Sequence, residues 1–176
     1  IDLGSALAPG GDLYNANGWL AIGYNSTFSD IVPFTGVLDG NGCTIFGMSC
    51  TGPAAALFAS NEGTIKNLTI TGSIEANARA GAGIIMYNYG TIENCHNAVS
   101  VLLTNSSSIV AGGIVARNYN GATIRNCSNS AAITVNNTSN VRGVLAAGGI
   151  AATNLGTIDR GWNTGNISAP GSAHFI

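Results

Sequence analysis

The chain has 176 residues, a formal net charge of -2 and only 8 % charged side chains, while glycine fills 25 positions. Six Lys and Arg residues cannot form a phosphate-tracking stripe, which argues against nucleic acid and anionic membrane surfaces as partners. The longest nearly apolar run, residues 144–152, is too short and too rich in glycine to cross a bilayer, so membrane insertion is not expected.

Residues 1–34 carry no repeat but hold Tyr14, Trp19, Tyr24 and Phe28, with Gly18 to Gly23 as a strand-like apolar run. A solenoid needs its first coil covered, and this segment reads as an N-terminal cap or irregular first coil. The opening at Ile1 without methionine reads as a processed or excised segment. Next, Phe34 to Ile45 alternates apolar and polar residues around Asp-Gly and Asn-Gly turns, a strand-turn-strand signal.

From there the chain repeats itself. Asn88-Tyr89-Gly90-Thr91-Ile92-Glu93-Asn94-Cys95 is matched by residues 61–68, by 118–127 with two extra residues, and by 154–161. Thr-Ile pairs place Ile at 45, 65, 92, 124 and 158, at intervals of 20 to 34 residues, the range in which a repeat means a solenoid or an array. Laid on one another, the repeats give apolar columns: those isoleucines; Met48, Leu68, Cys95, Cys127 and Gly161; Ile74, Val101, Ile133 and Ile167; and Leu57, Ile84, Ile114 and Ile150. Each alternates with small or polar neighbours at period two, so each is an inward ladder of short strands. Glycine or asparagine recurs every few residues, which disfavours helices. The fold class expected is all-β, a parallel β-helix of five to six coils over residues 35–169, with 170–176 as a tail or link to the next coil or subunit.

Two polar columns fit the same geometry. Asn61, Asn88, Asn118 and Asn154 align at one corner, and Asn67, Asn94 and Asn126 at another; asparagine tolerates the left-handed backbone of a tight corner, and its amide can both give and accept a bond one coil away. Lys66, Glu93, Arg125 and Asp159 form an outward column whose signs alternate, a ladder that fixes register more than it stabilises. Cys95 and Cys127 share a column with Leu68 and read as buried thiols packing as small hydrophobes. Cys43 and Cys50 lie seven apart, a poor zinc spacing, and no metal or cofactor is expected. His96 and His174 have no evident Ser, Cys or Asp partner, and His96 reads as a surface residue in the column of Thr69, Ser128 and Trp162. The carboxylates left over, Asp30, Asp39 and Glu62, do not suggest the converging acids of a glycan-cleaving enzyme, and Asp39 suits an Asp-Gly turn. No catalytic residue is expected.

Taken with their order, Phe34 to Gly42 followed by Thr44-Ile45, Gly63 to Leu68, and the units ending in Asn94-Cys95 and Asn126-Cys127 resemble the GLUG-repeat family of bacterial surface proteins. The segments Gly83 to Met86, Gly113 to Ala116 and Gly149 to Ala152 correspond to the name-giving Gly-Leu-x-Gly, with Met or Ala in place of its second glycine. The resemblance implies a right-handed parallel β-helix in extracellular, non-catalytic, adhesin-like or stalk-like proteins.

The function expected is an extracellular structural or adhesive module at the cell surface, its partners further copies stacked head to tail or the remainder of a longer surface protein. The alternative is a carbohydrate-binding module using Tyr87, Tyr89, Tyr119 or Trp162, with a polysaccharide-active enzyme a distant third. The connections around residues 102–111 and 134–147 vary most and are expected to be loops. Of seven Asn-x-Ser/Thr sequences, Asn25, Asn105, Asn136 and Asn137 are the glycosylation candidates, whereas Asn67 and Asn126 belong to a ladder and should stay bare. The end after Ile167 has no cap in view, so its open edge is expected to be covered by more of the same.

Overall fold

A computed structural model describes residues 1–13, 15–25, 29–139 and 143–170. Tyr14, Phe28 and His174, and with it residues 171–176 of the expected tail, lie outside the described residues. The fold is a β-solenoid of about four turns, fewer than the five to six expected. Every strand pairing is parallel, as coils stacked in one direction require.

Each turn visits four sheets. The first holds Val37–Asp39, Thr64–Lys66, Thr91–Glu93, Thr123–Arg125 and Thr157–Asp159. The second, and longest, holds Thr44–Cys50, Thr69–Ala76 and His96–Asn105, then Ser128–Asn129 with Ile133–Asn137, then Trp162–Asn163 with Ile167–Ser168. The third holds Ala80–Ala82, Ile109–Gly112 and Leu145–Gly148, and the fourth Phe58–Asn61, Ile85–Asn88, Val115–Asn118 and Ala151–Asn154.

Period-two alternation sends Ile65, Ile92 and Ile124 inward, and each is fully buried in one column. That column begins at Leu38, not Ile45. Ile45 pairs instead with Ile70 in the second sheet, because Phe34 to Asp39 already supplies the first-sheet strand of its coil. Met48 likewise pairs with Gly72, and the position beneath Leu68 belongs to Cys43, whose carbonyl accepts from the amide of Thr69. The remaining apolar columns hold, with Cys50 added below Ile74. A second, smaller apolar cluster was not foreseen. Met86, Val110 and Ala116 alternate with Ile85, Ile109 and Val115, face the opposite side of the third and fourth sheets, and are nonetheless fully buried among alanines.

The N-terminal segment begins with a five-residue helix, Leu3–Leu7, capped by Asp2, whose carboxylate accepts from the amide of Gly4. Leu3 and Leu7 are buried in the main core. Gly18 to Gly23 is not a strand; it meets the stack through single bridges, Gly18 to Cys50 and Ile22 to Phe58, through Ala21 buried in the smaller apolar cluster, and through the Trp19 indole, which donates to the Leu57 carbonyl at 3.1 Å.

The connections from second to third sheet are shorter than expected, at 77–79, 106–108 and 138–144, the last partly outside the described residues. The first increase in length is absorbed by extending strands, and the second falls in the connection 138–144. Asn105 therefore ends a strand, and Asn136 and Asn137 lie in one.

Candidate functional site

Polar side chains inside a solenoid must be satisfied by the coil above or below, and three asparagine ladders do this. In the first, Asn61 donates to Asn88, Asn88 to Asn118 and Asn118 to Asn154, each at 2.8 Å, with the first three residues buried. An amide hydrogen of Asn61, Asn88 and Asn154 also goes to a carbonyl two residues on, that of Gly63, Gly90 and Gly156 respectively. The second ladder lies at the outer corner, where Asn67, Asn94 and Asn126 have φ of 54°, 52° and 51°. Its bonds run the other way: Asn126 donates to Asn94, Asn94 to Asn67 and Asn67 to Asp39, and Arg160 donates to Asn126.

The third ladder escaped sequence reading. Asn97 donates to Asn129 and Asn129 to Asn163, both at 2.7 Å, inside the stack. Its signal was present, an asparagine two residues after Cys95, Cys127 and Gly161. It explains a glycine of the repeat as well: a Cβ on Gly83, Gly113 or Gly149 would collide with Asn97, Asn129 or Asn163 respectively.

The outward charge column has the expected register and extends one coil earlier, to Asp39. Two of its neighbours close as ion pairs, Lys66–Asp39 at 3.2 Å and Arg125–Glu93 at 3.6 Å; Asp159 pairs with adjacent Arg160 instead. Asp39 also accepts from the amide of Asn41, the turn bond expected of it. The Asn67 amide first, then the Asn41 amide and Lys66, hold its carboxyl down at about 2.

Cys95 and Cys127 are buried free thiols on adjacent rungs, with Cys50 also buried and Cys43 exposed. The Cys127 thiol beside it, reinforced by burial, pushes Cys95 upward, so it stays a neutral thiol. His96 does have serine partners: Nδ1 lies 2.7 Å from Ser128 Oγ and Nε2 3.1 Å from Ser130 Oγ. Both serines come from the next coil, Ser128 from the column that the repeat had already aligned with His96.

Of the four aromatic candidates, the structure gathers three. Tyr87 sits on the fourth sheet between Ser60 and Arg117, and one corner further Glu62, Tyr89 and Tyr119 follow one another along the stack. Tyr89 and Tyr119 are parallel within 5° at 4.4 Å, a spacing the coil repeat itself imposes, and Tyr87 meets Tyr119 edge-on at 6.5 Å. With Ser29, Ile31 and Pro33 of the N-terminal segment they line a groove of about 350 Å³. Burial pushes the Tyr87 and Tyr89 hydroxyls up, so both remain neutral donors. Trp162 is 57 % exposed but stands on the second sheet, one rung beyond Ser128, and is not part of this groove.

Among the glycosylation candidates, Asn25 is exposed and Asn136 half-buried. The Asn105 amide donates to Asn77 while its oxygen accepts from Ser107; Asn137 is buried and bonded to Ser107 and Ser139.

Residues 107–136 match a family model described as the GLUG motif, which bears out the resemblance read from the sequence. The matched segment runs through the third, fourth, first and second sheets in turn, so the motif corresponds to one turn of the solenoid. No curated protein and no solved structure matches the chain.

Proposed function

We propose that the chain is a section of an extracellular structural or adhesive rod, a non-catalytic β-helical scaffold at a cell surface whose last coil is completed by another coil stacked upon it. The observation that carries this reading is the change in exposure along the inward columns. Ile92 and Ile124 are fully buried, whereas Ile158, next in the same column, is 36 % exposed, and Ile167, above fully buried Ile133, is 37 % exposed. Asn154 and Asn163, at the ends of two interior ladders, are likewise exposed. Among the described residues the last coil thus presents apolar side chains along the edge of a parallel stack, the kind of surface that natural solenoids cover. The occupant is a further copy or more of the same protein, giving head-to-tail growth into a filament.

Low charge, glycine- and asparagine-rich coils and the GLUG match support the surface-protein assignment. As a glycoprotein it carries sugar at Asn25 or Asn136 before Asn105 or Asn137, whose amides are already engaged. Sedimentation and negative-stain microscopy test the assembly. Concentration-dependent end-to-end species are expected, and Ile158→Lys with Ile167→Lys should abolish them. A monodisperse monomer at high concentration overturns the stacking.

A further inference from the structure

The lateral groove at Tyr87, Tyr89 and Tyr119 is separate from the open end and has its own chemistry. Tyr119 occupies one face of Tyr89; the rung on the other side is Glu62, an exposed carboxylate, beside Ser60. Tyr89 is 47 % exposed, so its second ring face is available to a ligand lying in the groove. The N-terminal segment supplies the opposite wall through Ile31 and Pro33. At about 350 Å³ the groove reaches the size of small-ligand sites, which run from ~300 Å³ upward.

We infer that this groove is a saccharide subsite that takes a neutral pyranose ring, its C–H face on Tyr89 and its hydroxyls bonded to Glu62 and the tyrosine hydroxyls. Three features select this ligand. A cation cage needs rings held apart around an ammonium group, but these lie 4.4 and 6.5 Å centre to centre and fill that space themselves. Arg117, one rung from Tyr87, adds a positive charge that opposes a cation further. An anionic sugar would meet the carboxylate of Glu62 in the groove. A neutral sugar uses what remains, a flat aromatic face with hydroxyl donors on one side and a carboxylate acceptor on the other. The Nε of Arg117 is shielded from solvent with no hydrogen-bond partner among the described residues, so the rung above Tyr87 has unused donor capacity as well.

The test titrates the whole chain with cellohexaose, chitohexaose and mannohexaose as neutral probes, and with tetramethylammonium and trigalacturonate as charged ones. Calorimetry gives affinity, and two-dimensional NMR follows the tyrosine ring resonances. At least one neutral probe should bind and shift the Tyr89 and Tyr119 rings. Tyr89→Ala should weaken binding by roughly tenfold or more, Tyr89→Phe should retain it, and Trp162→Ala should leave it unchanged. Should Tyr89→Ala fail to fold, Glu62→Gln at an exposed position takes its place, with a several-fold loss expected. Binding of charged probes alone, of no probe, or binding that survives Tyr89→Ala or depends equally on Trp162 overturns the proposal. Because the groove is lateral, these outcomes do not depend on whether the chain stacks end to end.

Discussion

The buried ladder Asn61–Asn88–Asn118–Asn154 and the corner ladder Asn67–Asn94–Asn126 use one residue type in adjacent registers of the same coils, yet for different reasons. In the interior, asparagine is needed for its amide. Asn88 places one donor on the next coil and another on the Gly90 carbonyl, while its oxygen accepts from Asn61 on the coil before, so none of its side-chain polar atoms is stranded. At the corner it is needed for its backbone, because φ near +50° is a conformation that few non-glycine residues tolerate. The opposite direction of the two hydrogen-bond chains shows that they are independent devices rather than one belt wrapped around the rod.

The comparison breaks most visibly at Asn88. Replacement by Ala leaves the Asn61 donor, the Asn118 acceptor and the Gly90 carbonyl without their buried partner, and about 3 kcal/mol should be lost in chemical denaturation. Glycine at that position should be no better. Smaller, about 2 kcal/mol, is the loss expected for Gly113→Ala, whose new methyl would meet the Gly149 backbone carbonyl first and Asn129 next, shifting the coil and its third-ladder rung. At the corner, Asn94→Ala should cost about 1 kcal/mol and Asn94→Gly close to nothing, since glycine supplies the φ that asparagine did. Rescue by glycine at 94 with none at 88 is the signature of the two roles, and equal behaviour would dissolve the distinction.

The smallest effect is on pH. The Asp39 carboxyl sits at about 2 in the folded chain against an ordinary 3.8, so its contribution is present in full above the ordinary value and disappears as pH falls toward 2. Stability measured from pH 5 to pH 2 should fall less in Asp39→Asn than in the native chain. The native fall should be modest because the group is fully exposed and screened by water.

The two ladders also mark how far the sequence could be read. Both were legible because Asn recurs in fixed frame with Gly-Thr-Ile, and the charge column was legible from its alternating signs. The ladder of Asn97, Asn129 and Asn163 was not, because it begins one coil later, above Ile70, and its residues follow dissimilar neighbours. The Thr44-Ile45 echo misled for a related reason: an identical dipeptide fell in the second sheet of its own coil. Connections between the second and third sheets read as loops because their length varies between repeats, but parallel neighbours drew Leu102 to Asn105 and Thr134 to Asn137 into paired strands. Tyr87, Tyr89 and Tyr119 could be named from the chain, whereas Ile31 and Pro33 as their opposite wall could not, since nothing repeated ties residues 1–34 to a particular coil.

The corner ladder is bounded by charge. It starts on the carboxylate of Asp39, which can only accept, and finishes on the guanidinium of Arg160, which can only donate and which itself takes the left-handed backbone at φ 52°. The line of amides therefore has a first and a last member written in its side chains, a ruler as well as a seam. The interior ladders carry no such marks, and Asn154 and Asn163 are ordinary members at the edge. A coil laid on this one can extend the interior with another asparagine, but at the corner it meets the Arg160 guanidinium, which is paired with Asp159 at 3.0 Å and cannot accept from an asparagine amide. In the proposed rod, an incoming coil therefore could not simply repeat the corner asparagine at this point.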